Sequence, residues 1–234
     1  MKIYVEGHPD THWMAHVLEE PGCIWIASDQ DKLLAGGPQA VALYKNWLEL
    51  NGEPRLNIIQ DLKLEIAEVK EIPRLGISGT TVALFTPDFN PIYKEEIATV
   101  IRRLGYARRE LLELVTLHQK TMDWPPPNGK RTLRQNLEHI RDCQGYYLSR
   151  LLGKDNLESR FSGPWPQDTL ESLHWMHENA ARILFEWPPT LYGGVYKAEK
   201  PLEDWTPRKM LRRILEHELE HIWVIRRTIF YKDR

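Results

Sequence analysis

His217-Glu218-Leu219-Glu220-His221 places two histidines four residues apart within a helical pattern. Met210, Ile214, His217, His221, Val224 and Thr228 recur in alternating steps of four and three, the period of one inward-facing helical stripe. Both imidazoles therefore occupy positions that would ordinarily be apolar. Histidines at i and i+4 stand one above the other on a helix, so one rigid element can offer two ligands to a metal ion. Burying two adjacent imidazoles without a shared partner would cost free energy. Metal binding is thus favoured over a pair of satisfied core histidines.

The same five residues fit His-Glu-x-x-His, in which a zinc peptidase uses the glutamate as general base. The segment after His221 holds neither His nor Glu and lacks the His-x-x-Gly-x-x-His continuation, which makes a peptidase the weaker expectation. Glu216, Glu218 and Glu220, with Arg212, Arg213, Arg226 and Arg227 nearby, read as a solvated acidic face.

A third ligand must come from another element. His139 lies seven residues into a helix opening at Thr132, roughly 10 Å along it, and His221 lies a similar distance before the end of the last helix. If these helices run antiparallel, the three imidazoles fall at similar depth. His139 shares its face with Cys143 and Tyr146. Cys143, one turn after His139, is a candidate neighbour of the site, but a buried structural cysteine is the stronger expectation. His118, His174 and His177 are expected in core, surface or supporting roles, because a metal that keeps an open position needs only three protein ligands. His12 and His16, about 13 Å apart if both lie in one strand, are expected at a surface or edge.

The elements that position these residues change character near residue 90. Before it come short β-rich runs at Lys2 to Glu6, Trp13 to Glu19 and Cys23 to Ser28, then a helix opening at Pro38 and closing at Asn51-Gly52. An alternating run from Leu62 loses phase at Ala67 to Val69, which suggests a bulge or an edge strand. A last strand is expected at Thr81 to Phe85. After Asn90-Pro91 four helical patterns follow, at Pro91 to Met122, Thr132 to Leu152, Asp168 to Trp187 and Thr206 to Tyr231. Their starts are well signalled: Thr132 with Gln135 makes a capping box, Asp168 with Glu171 resembles one, and Thr206-Pro207 is an N-cap followed by a first-turn proline. The expected architecture is an α+β N-terminal domain over residues 1–88, a small sheet with one helix, followed by an all-α four-helix bundle over residues 89–234.

Composition narrows the classes. A formal charge of -2 over 234 residues gives no basic footprint for nucleic acid. The two cysteines, Cys23 and Cys143, cannot form a disulfide framework, and the absence of an 18-residue apolar run or a signal-like start gives a cytoplasmic protein without a membrane span as the expectation. A homodimer is expected as the commonest assembly.

The stretch WMAHVLEEPGCIWIAS, Trp13 to Ser28, with its Pro21-Gly22-Cys23 turn and the helix that follows, resembles the HicB-like antitoxin fold. From about 92 to 230 the chain resembles the DinB/YfiT-like superfamily. Two segments carry this likeness, KRTLRQNLEHIRDCQGYYLSRL from Lys130 and RKMLRRILEHELEHIWVI from Arg208. That family's single histidine on its second helix matches His139, and its His-x-x-x-His pair on the last helix matches His217 and His221. The resemblance implies an up-down-down-up bundle whose three histidines bind a divalent ion, nickel or zinc. It also implies a metal-dependent enzyme acting on a small molecule, as a low-molecular-weight-thiol-dependent S-transferase or a hydrolase. The alternative is a non-catalytic metal-binding or interaction protein.

Overall fold

The computed structural model describes residues 1–54, 62–72, 83–199 and 202–232. They fall into two compact units, Met1–Asp88 and Phe89–Arg234. The first contains β1 (Lys2–Gly7), β2 (Trp13–His16), β3 (Ile24–Ala27), α1 (Gln30–Leu50) and β4 (Glu65–Glu71). The sheet order is β3-β2-β1-β4, with β1, β2 and β3 antiparallel in turn and β4 parallel to β1. Apolar side chains from the strands, including Ile3, Val5, Ala15 and Trp25, pack with Leu33 and Val41 of α1. Pairing steps from Ile3↔Ile66 to Tyr4↔Glu68, which leaves Ala67 as the extra residue of an edge strand. The lost phase of that segment has this cause.

Four N-terminal expectations are corrected. The helix opens at Gln30, not Pro38: Asp29 caps it by accepting from Lys32 N at 2.8 Å, and Pro38 lies inside it. Gly37, just before Pro38, is there for space, since a Cβ would come within 2.1 Å of Leu64 Cδ1 and 2.9 Å of Trp25 Cζ2. His16 is not a surface or edge residue. It is fully buried, with its Nε2 2.9 Å from Glu6 Oε1, and Glu6 Oε2 accepts from Ala83 N; the carboxylate makes burial of the imidazole tolerable. The strand begun at Trp13 ends at His16, before Glu19. The proposed strand at Thr81 to Phe85 lies partly outside the described residues, and Ala83 to Phe85 are not strand.

The second unit is mostly helical: α2 (Lys94–Leu117), α3 (Leu133–Leu152), α4 (Lys154–Glu158), α5 (Thr169–Phe185), β5 (Tyr196–Glu199), β6 (Leu202–Trp205) and α6 (Pro207–Lys232). α3 packs against α5 and α6, and α2 against α6 and α5. The capping box is present, with Gln135 N donating to Thr132 Oγ1 at 3.2 Å and Thr132 N to Gln135 Oε1 at 3.0 Å. Asp168 accepts from Leu170 N and Glu171 N, and Thr206 Oγ1 accepts from Lys209 N. The all-α expectation is corrected by the antiparallel β5–β6 hairpin. Its strands are four residues each and rich in charge, so their alternation is faint, yet they deliver buried Trp205 to the start of α6. Among the described residues, no helix is long and apolar enough to cross a membrane.

Candidate metal centre

α3 and α6 bring His139, His217 and His221 together. His139 Nε2 and His217 Nε2 are 3.2 Å apart. The ring centres lie 5.0 Å (His139 to His217), 4.8 Å (His139 to His221) and 4.5 Å (His217 to His221) apart. Cys143 is one turn along α3, its Sγ 3.6 and 3.7 Å from the ring nitrogens of His139. Donor atoms of His139, Cys143 and His217 all lie within 4.8 Å of one another. With metal–nitrogen bonds of about 2.0–2.1 Å, two nitrogens on a tetrahedral ion stand about 3.3 Å apart, close to the observed pair. His217 and His221 are buried and His139 half-buried.

Burial keeps these imidazoles neutral, the form that ligates. His217 is held well below the usual histidine range by burial first and then by His221 and Arg213. Burial, then His139 and Arg131, push His221 down to about 3, and burial followed by Arg131 lowers His139. The Cys143 thiol is pushed up to about 12, mainly by burial. An aromatic wall closes one side: Tyr147 meets His217 edge-on at 5.6 Å, and Trp205 lies 5.8 Å from Tyr147. Arg213, also fully buried, donates to Glu216 and Glu220 at 3.0 Å each.

A family model described as the DinB superfamily matches residues 103–225, more than half of the chain, from within α2 to within α6. The chain belongs to the DinB superfamily. No curated protein and no solved structure matches it.

In this DinB superfamily chain, Glu218 does not form a solvated face. It is fully buried and turned to Arg108, whose Nε and Nη2 donate to its two oxygens at 2.7 and 2.8 Å, and Gln144 Nε2 adds a third bond at 2.9 Å. Glu216 is likewise buried against Arg213. α6 is covered on nearly every side from Pro207 to Leu219, so its charges are paired inside the protein. His118 is the C-cap of α2, and His174 is exposed and 3.1 Å from Glu178. His177 shares a groove with Arg108, and its buried Nδ1 has no hydrogen-bond partner among the described residues. None of the three belongs to the donor group. Sequence reasoning missed Arg108, Asn136 and Tyr147. Only Asn136 carried a local signal, three residues before His139 on the same helix.

Proposed function

We propose that this chain is a metal-dependent enzyme in which His139, His217 and His221 hold one divalent ion, nickel or zinc, and a low-molecular-weight thiol or water is activated for S-transfer or hydrolysis. The observation that carries this reading is the donor group of His139, Cys143 and His217, which holds no carboxylate among the described residues, with the His221 ring centre 4.8 Å from that of His139 and 4.5 Å from that of His217. Imidazole ligands suit both metals. When bound, such an ion supplies Lewis acidity that lowers the pKa of a thiol or water placed beside it. The chain's own residues do the rest: burial keeps the imidazole lone pairs free of protons, and Tyr147 and Trp205 shield one flank from solvent. Glu218 speaks against a peptidase, since Arg108 and Gln144 occupy both of its oxygens. The same reading takes α2, α3, α5 and α6 as a four-helix bundle running up-down-down-up, and the Pro21-Gly22-Cys23 turn between β2 and β3 as part of a HicB-like domain.

Elemental analysis of untagged protein, followed by assays with thiol and acceptor pairs and with hydrolysable esters and amides, tests this. About one ion per chain and turnover that stops on chelation are expected; a chain that binds no ion would sink the proposal. Cys143 favours a second reading, because a His3Cys tetrahedron would be closed to substrate and suit a binding role. Under that reading Cys143→Ser weakens the metal strongly and no turnover is found. Under the first, it leaves metal content unchanged.

A further inference from the structure

Asn136 lies on α3 one turn before His139 and is buried. Its Nδ2 is 2.9 Å from Thr132 O and 3.3 Å from Arg131 O. Only an amide NH2 can serve two carbonyl oxygens, so these contacts determine which way the amide points. Its Oδ1 must then face away from the helix start, and it lies 3.2 Å from His221 Nδ1. Oδ1 can only accept, which means that Nδ1 carries the hydrogen. A neutral imidazole has one N–H. The lone pair of His221 is therefore on Nε2.

We propose that Asn136 is a positioning residue that locks His221 as the Nδ1–H tautomer and makes Nε2 its ligating atom, an inference that rests on the three-histidine centre above. A ring hydrogen bond to a protein acceptor is the usual way in which a ligating histidine has its tautomer and orientation set. Here the acceptor comes from a residue 85 positions away, oriented by the carbonyl of the Thr132 N-cap. The first turn of α3 thus aims a side chain of α6.

The test uses the full chain, metal-free and zinc-loaded, with 15N-labelled histidine to read the His221 tautomer by NMR and a chelator competition to read zinc affinity. Asn136→Ala should lower zinc affinity about 10- to 100-fold and give His221 a mixture of tautomers. Asn136→Asp keeps an acceptor for Nδ1–H but loses the donor to the two carbonyls. It should retain the tautomer and most of the affinity, whereas a residue needed only to start the helix would fail equally in both variants. An Nε2–H tautomer in the parent chain, or an Asn136→Ala chain unchanged in both readouts, would overturn the assignment. Zinc binding absent from a parent chain whose Nδ1–H tautomer is lost in Asn136→Ala would instead overturn the metal centre and leave the Asn136 lock standing.

Discussion

Arg108 on α2 grips Glu218 on α6 through two parallel hydrogen bonds, with 3% and 0% of the two side chains exposed. Arg108 Nη1 also donates to Leu173 O on α5 at 2.7 Å, and Gln144 on α3 donates to Glu218. One carboxylate thereby ties four helices together. Glu218→Gln leaves the guanidinium buried without its counter-ion and should cost about 3–5 kcal/mol of stability, read by urea unfolding. Metal content and thiol turnover per folded chain should stay near those of the parent. Loss of turnover at full metal occupancy would return Glu218 to the role of a base.

His217→Ala and His221→Ala should each lose most of the bound ion and keep their helical circular dichroism. In the parent chain, metal at about 100 times its dissociation constant should add about 2.7 kcal/mol to folding stability, and a chelator should remove that gain. Full occupancy in both variants would show that the ligands lie elsewhere.

Folding stability should fall in mild acid, partly through His177. Unfolded, it titrates near 6.5; folded, burial and then Arg108 push it down to about 4. Between those values the unfolded chain holds a proton that the folded chain does not. Stability is therefore complete above about pH 6.5 and declines as the pH drops to about 4. Comparing the parent with His177→Leu cancels the other titrating groups, and the variant's slope across this window should be shallower by up to about 1.4 kcal/mol per pH unit. Parallel curves would place the imidazole in contact with solvent.

A fragment beginning near Pro87 should fold as a helical unit, since Phe89–Arg234 has its own core. Far-UV circular dichroism and a cooperative thermal transition check this. An unfolded or aggregated fragment would mean that its stability depends on the residues before it.

Much of the local chemistry was legible in the sequence where one stretch of chain contained both partners. The capping box of Thr132 and Gln135, the phase slip at Ala67 and the four-residue spacing of His217 and His221 each depend on neighbours within a turn or a strand, where geometry follows from residue order. The start of α1 was misread because Pro38 suits a first helical position, whereas Asp29 caps the helix and Gly37 beside the proline answers to the close approach of Leu64 and Trp25 from distant segments. Glu218 shows the limit most clearly. An acidic run on a helix is solvated when one face of that helix meets water, but α6 is covered nearly all round, and the partner that neutralises Glu218 lies 110 residues earlier in the chain. The spacing of His217 and His221 made a metal centre thinkable; tertiary packing decided that His139 and Cys143 adjoin them and that Asn136 faces His221. Such pairings depend on how helices pack, and periodicity within one helix carries no record of its neighbour's register.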